Sequence, residues 1–240
     1  MVVAAKGIWP AGQDTPARKA VVVELFTSEG CSSCPPADEL LNRFRQQKTL
    51  SGAQIIPLGF HVDYWNYLGW QDRFSSSQYS LRQQEYAAKF GLGGPYTPQM
   101  VVQGSEEFVG SDSERAGRAI IHAAAEPEQA MVDISAMGEM LRVTVHANPG
   151  ISANVILAIT EDELETRVGG GENSGRVLHH SAVVRNLRRI GQLSNGSFEG
   201  VVPVNSQKGW NRQNLHASVI VQNVSSYKIE GAAYANLAGS

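Results

Sequence analysis

The chain of 240 residues holds two cysteines, and they are spaced as Cys31-Ser32-Ser33-Cys34. The stabilisation from a crosslink grows with the length of the loop that it closes, so a bridge this short staples almost nothing. The spacing therefore points to chemistry: either a redox couple or half of a soft-metal site. In a redox couple the thiolate of Cys31 attacks or is attacked. Cys34, one turn further on, then resolves the mixed disulfide.

A reactive thiolate needs a place that favours negative charge, and the flanking residues offer one. Residues 19–26 contain Ala-Val-Val-Val-Glu-Leu-Phe, a nearly continuous β-branched run expected of a strand covered on both faces. After Cys34 come Pro35 and Pro36, tolerated in a first helical turn, then Leu40, Leu41 and Phe44 on one helical stripe. Ser32 or Ser33 is the expected N-cap. Cys31 then stands just ahead of a helix N-terminus, where unpaired N–H groups and the helix dipole lower a thiol's pKa.

Further elements follow in order. Residues 54–62 form a second strand, whose Pro57 favours a sheet edge because it cannot donate. Helical character returns over about 76–90. A strand at 99–102 turns through Gly104-Ser105 into 107–109 as a hairpin. Ser111 with Glu114 reads as a capping box for a helix ending near 125. The expected order to this point is β-α-β-α-β-β-α. Past Pro127 the pattern changes to short strands at 131–136, 141–147, 154–160, 177–184, 197–204 and 215–221, separated by turns such as Asn148-Pro149-Gly150 and Asn195-Gly196. That is the pattern of a small β-sandwich over 129–240. Residues 1–17, with Gly and Pro between 6 and 15, read as a flexible arm.

With these motifs placed, residues 20–125 resemble the thioredoxin superfamily. The second anchor is Ala88 to Val102, read as Ala-Lys-Phe-Gly-Leu-Gly-Gly-Pro-Tyr-Thr-Pro-Gln-Met-Val-Val. It is similar to the thioredoxin segment that ends in a cis-proline. The resemblance implies that Pro98 is that cis-proline, facing the cysteines, and that the backbone of Thr97 pairs with an extended substrate. The wording Glu24-Leu-Phe-Thr-Ser-Glu-Gly-Cys-Ser-Ser-Cys-Pro-Pro-Ala-Asp38, with Phe60-His-Val-Asp-Tyr-Trp-Asn-Tyr-Leu-Gly-Trp70, resembles a narrower group. It is the bacterial thioredoxin-like family catalogued as domain of unknown function 1223, often made with a secretion signal. That resemblance implies a C-terminal β domain and a periplasmic or secreted location. The fold class expected is thus an α/β thioredoxin-like domain over 18–126, followed by an all-β sandwich domain.

Three departures from ordinary thioredoxins bear on mechanism. The Ser-Ser dipeptide between the cysteines matches neither ordinary thioredoxins nor strong oxidants, so redox direction does not carry over. Gly30 stands where thioredoxins keep an aromatic residue. A buried carboxylate usually lies beneath the pair, and Glu24 is the candidate, one residue out of register. His61 and Asp63 end the second strand, where open α/β sheets build their sites, and could tune the Cys31 pKa. Tyr64, Trp65, Tyr67 and Trp70 line a substrate groove or pack the insertion before Ser76. His179 and His180 are adjacent on a strand and so point to opposite faces, which makes joint metal ligation awkward.

Composition removes several classes. With 20 Lys+Arg against 23 Asp+Glu, the net charge of -3 offers no cationic field for nucleic acid. Apolar runs such as Val155 to Ile159 are strand length, so no membrane span is expected. Met1 to Ala5 lacks an export signal, which leaves a cytoplasmic protein or one whose leader is not in this sequence. The leading reading is a thiol-disulfide oxidoreductase acting on protein thiols and disulfides with an unidentified redox partner. It has Cys31 as nucleophile, Cys34 as resolving thiol, no organic cofactor and no resident metal. Two alternatives remain: a copper(I) or zinc metallochaperone using Cys31, Cys34 and His61, and a redox-inert thioredoxin-fold interaction module.

Overall fold

Every side chain of the strand Ala20–Thr27 (β1) is buried, as its unbroken apolar run requires of a strand with both faces covered. The computed structural model describes residues 19–238; the expected arm at 1–17 lies outside the described residues. After β1 come helix α1 (Pro35–Gln47), the short β2 (Thr49–Leu50), β3 (Ala53–His61), helix α2 (Ser77–Lys89), β4 (Gln99–Val102), β5 (Glu106–Val109) and helix α3 (Ser113–Ala125). Then come the strands β6 (Ala130–Met137), β7 (Met140–Ala147), β8 (Ala153–Glu161), β9 (Leu164–Arg167), β10 (Val177–His180), β11 (Val183–Gln192), β12 (Ser197–Pro203), β13 (Leu215–Asn223) and β14 (Ile229–Asn236), with a 3-10 turn at Arg212–Asn214.

The principal sheet runs β14-β13-β8-β11-β3-β1-β4-β5, so strands from both halves of the chain share it. The halves join where Val183 of β11 pairs with Gly59 of β3 in parallel register, and Gly59 N donates to Ala182 O at 2.8 Å. Pro57 explains how a proline-bearing strand can lie inside a sheet. The N–H groups of Ile55 and Gly59 point away from β1, to Lys48 O and Ala182 O. By strand alternation Pro57 falls between them, where the chain contributes no N–H and needs none. The edge position expected for this strand is thus corrected to an interior strand whose proline sits in a local gap.

Side-chain alternation builds one core on each face of β1. Val21, Val23 and Leu25 pack with Ala37, Leu40, Leu41 and Phe44 of α1 and with Ala116, Ala119 and Ile120 of α3. Val22 and Phe26 pack on the other face with Phe60 and with Tyr79 and Tyr86 of α2. Phe26 and Phe60 stack at 5.4 Å between ring centroids, and each aromatic buried here contributes about 1.5–3 kcal/mol. The face that packs on α2 continues into Ile156, Ala158 and Ile220 of β8 and β13. The opposite faces of β8 and β13 meet a second sheet, β12-β7-β6, through Val155, Leu157, Val219, Leu141 and Val143.

Three local expectations change. The 177–184 run is two strands, β10 and β11, broken at Ser181 and Ala182. Cys34, rather than Ser32 or Ser33, is the N-cap of α1: Pro35 takes the first helical position, and Cys34 O accepts from Ala37 N at 2.9 Å and Asp38 N at 3.1 Å. Asp112, rather than Ser111, caps α3, its Oδ1 accepting from Arg115 N at 2.9 Å. Glu114 then pairs along the helix with Arg118 instead of reaching back to Ser111. The hairpin turn carries Gly104 at φ +65, and a Cβ there would lie 2.1 Å from Tyr227 O, so only glycine fits. No helix among the described residues is long and apolar enough to cross a membrane.

Candidate redox site

The strand β1 delivers a tight turn at its carboxyl end. Gly30 N donates to Ser28 Oγ at 3.1 Å, Cys31 N to Ser28 O at 3.2 Å, and Cys34 N to Cys31 O at 3.2 Å. Cys31 and Cys34 are joined by a disulfide directly ahead of α1, and both residues are fully buried. The Sγ of Cys31 lies 3.3 Å from Ser33 Oγ and accepts from Thr97 Oγ1 at 3.3 Å. The Thr97–Pro98 peptide bond is cis, and Trp65 Nε1 donates to Thr97 Oγ1 at 2.8 Å. A donor chain thus runs from the Trp65 ring through Thr97 to the sulfur. Trp65 also explains Gly30: a Cβ at residue 30 would meet the Trp65 Cβ at 3.2 Å, so an aromatic from the insertion fills the space beside the cysteines.

A cluster of buried ionisable side chains adjoins the turn. His61 Nδ1 is 2.7 Å from Asp72 Oδ2, which also accepts from Glu29 N at 2.9 Å. Trp70 Nε1 donates to Glu29 Oε2 at 2.8 Å. The other carboxylate oxygen of Glu29 lies 3.5 Å from His180 Nε2, and neither atom has a hydrogen-bond partner. His180 meets His61 edge-on at 4.9 Å between centroids. Asp38, one turn into α1, faces a cavity of about 10 Å³ lined by Thr27, His61 and His180, too small for anything larger than about one water.

The environment sets the protonation of these groups. Burial pushes the Asp38 carboxyl above its ordinary value, against the pull of His180 and His61. Burial alone would lower His61, but the charge and hydrogen bond of Asp72, with Asp38 and Glu29 behind, raise it instead. Asp72 is lowered despite its burial, because His61 and the N–H groups of Glu29 and Phe74 all favour its anion.

Glu24 is placed elsewhere. It is buried on the α2 face of β1, where Arg82 grips it in a fork, Nε to Oε2 at 2.6 Å and Nη2 to Oε1 at 3.0 Å, and Tyr86 donates to Oε1 at 2.7 Å. Asp63 turns to α2, accepting from Ser80 Oγ at 2.5 Å. The structure therefore brings Thr97, which the cis peptide links to Pro98, to the sulfur of Cys31, places His61 in the adjoining cluster, and sends Glu24 and Asp63 to α2. His179 is exposed and pairs with Glu165 at 3.6 Å, while its neighbour His180 is buried.

Sequence reasoning missed Asp38, Glu29 and Asp72, and it considered His180 only as an awkward metal ligand with His179. Asp38 carried a readable signal, since it falls three residues before Leu41 on the apolar stripe of α1, an unusual place for a carboxylate. Two more residues, Glu172 and Asn173, reach the turn from the connection between β9 and β10 and had no signal. Among the described residues, no three His, Cys, Asp or Glu side chains are grouped so as to hold a metal ion.

Comparison with known proteins places the chain. A crystal structure of a protein from Agrobacterium tumefaciens, solved in a structural genomics programme, is 27% identical with a TM-score of 0.74, covering 92% of this chain and 95% of that one. A domain of the outer membrane lipoprotein Omp28 from Porphyromonas gingivalis is 12% identical with a TM-score of 0.29, over 47% of this chain and 90% of that one, too distant to carry an argument. The comparison with curated proteins finds no match. The family model described as protein of unknown function DUF1223 matches residues 22–222, and the chain belongs to that family.

Proposed function

We propose that the protein is a thiol-disulfide oxidoreductase acting on protein substrates. The observation that carries this reading is the Cys31–Cys34 disulfide at the start of α1, with the hydroxyl of Thr97, beside the cis Pro98, hydrogen-bonded to the Cys31 sulfur. In the reaction a substrate thiolate attacks Cys31 Sγ. The intramolecular S–S bond breaks, and Cys34 leaves as a thiolate that takes a proton. The second substrate thiol, deprotonated, then attacks the mixed disulfide and releases Cys31. Two electrons pass from the substrate dithiol to the cysteine pair, the substrate leaves as a disulfide, and the reverse sequence reduces one. The Trp65–Thr97 donor chain supports the Cys31 anion.

The same reading takes residues 18–126 as a thioredoxin-like unit: β3, β1, β4 and β5 flanked by α1 and α3 on one face and α2 on the other. It takes residues 129–240 as a sandwich built on the same sheet. A disulfide favours an oxidising compartment, which supports a periplasmic or secreted location. The test is the Cys31→Ser variant assayed for dithiol-dependent reduction of a protein disulfide. Loss of turnover is expected, and unchanged turnover would overturn the proposal.

A further inference from the structure

The cysteine turn is held from the other half of the molecule. Asn173, fully buried, donates from Nδ2 to Glu29 O at 3.0 Å and to Cys31 O at 2.8 Å, while Arg176 Nη1 donates to its Oδ1 at 2.8 Å. The preceding residue, Glu172, is exposed, yet its carboxylate accepts from Ser32 N at 2.9 Å. The segment that carries them is closed on itself, with Val168 N donating to Arg176 O at 2.9 Å and Gly175 N to Val168 O at 2.8 Å. It is also seated on the insertion: a Cβ at Gly169 would meet the Trp70 ring at 3.1 Å, and one at Gly170 would lie 2.5 Å from Gly69 O. The carboxylate is therefore delivered to Ser32 by a fixed loop.

We propose that Glu172 tunes the redox pair, with Asn173 as the residue that positions it, so that the C-terminal half sets the poise of Cys31–Cys34. The inference rests on the exchange reading above. The N–H of Ser32 adjoins Cys31 and would otherwise be free to favour a thiolate. A carboxylate on it occupies that donor and adds a negative charge at the residue next to Cys31. Both effects disfavour the thiolate and hence the reduced form. The hydrogen bonds to Ser32 also hold the Glu172 carboxyl below its ordinary value, which keeps it charged. The other ionisable groups around the turn face elsewhere: Glu29 accepts from Trp70, with its second oxygen 3.5 Å from His180, Asp38 faces the cavity, His61 pairs with Asp72, and Arg176 with Asn173.

The experiment uses the full chain and compares wild type with Glu172→Gln, Asn173→Ala and the double variant. Two quantities are read: the Cys31 thiol pKa by alkylation rate against pH, and the equilibrium with a thiol buffer above that pKa. Glu172→Gln is expected to lower the thiol pKa and to shift the equilibrium about threefold toward the dithiol. At about 30 mV per tenfold for a two-electron couple, that is a rise of about 15 mV. The shift should fade in about 1 M salt, where the screening length is about 3 Å. In the Asn173→Ala background the Glu172→Gln shift should vanish, because the carboxylate is no longer delivered. Identical pKa and equilibrium in wild type and Glu172→Gln would overturn the tuning role. An undiminished shift without Asn173 would overturn the positioning role. A pair that never equilibrates in the folded chain but does so on unfolding would overturn the exchange reading itself.

Discussion

Two buried charge clusters lie close to one another along β1, and they are built on opposite principles. On the α2 face, Glu24 is gripped by Arg82 and Tyr86 with the Gln222 amide behind them. Burial would lower Arg82, but the Glu24 carboxylate in its fork raises it above its ordinary value, so the guanidinium stays charged. At the carboxyl end of the strand, Glu29, Asp38 and Asp72 are served by His61 and His180, with no buried arginine fork. Polar atoms there are left without partners. An arginine fork fixes a charge and serves architecture, whereas a histidine is a side chain whose charge can change near neutral pH, and the histidine-bearing cluster is the one beside the disulfide.

Removing the fixed charge has the largest expected effect. Arg82→Met leaves Glu24 buried and unpaired and should cost about 3–5 kcal/mol in chemical denaturation, with the thiol pKa of a folded remainder unmoved. A large change in that pKa would place Glu24 in the redox site after all.

Asp72→Asn is the next largest effect, about 2 kcal/mol near neutral pH, because it removes a charged partner of His61 and of two backbone N–H groups. The wild-type pH profile follows from the signs. His61 is raised on folding, so its contribution is complete below the ordinary histidine value and is lost as pH rises through the folded value. Asp72 is lowered, so its contribution is present above the ordinary aspartate value and is lost as pH falls through the folded value. Stability should peak between these limbs in thermal melts, and Asp72→Asn should flatten both. A variant with the wild-type profile would remove the pair from the account.

Asp38→Asn should have the smallest effect, below about 1 kcal/mol. Burial raises the Asp38 carboxyl, so what it contributes is present at low pH and is lost as pH rises through its folded value. The amide should match wild type in acid and equal or exceed it at neutral pH. A loss at neutral pH would show that the carboxylate is required there.

The cysteine turn was legible because its signals are local: a β-branched run, two cysteines, two prolines and an apolar stripe within a short stretch. Glu24 was singled out by spacing alone, and its partner Arg82 is 58 residues away. The His61–His180 contact and the delivery of Asn173 to Cys31, 142 residues away in sequence, depend on how β11 joins β3, which no local pattern encodes. Most of β11 was missed because bulges at Val184/Asn186 and Arg189/Gly191 break its two-residue period. The strand β14 was missed because its Gly-Ala-Ala-Tyr-Ala sequence carries little β-propensity. The runs of β8 and β13 were legible, since both faces are covered and each strand holds an unbroken apolar stretch, Val155 to Ile159 and Val219 to Val221.

The central claim is that Cys31–Cys34 exchanges electrons and does not merely crosslink the turn. Poising the folded protein in thiol buffers, then quenching with a mass-shifting alkylator, measures its reduction potential directly. The account predicts a reversible couple above about -300 mV, the range of catalytic pairs. A bond that stays oxidised at and below that value in the folded chain would mark it as structural and contradict the account.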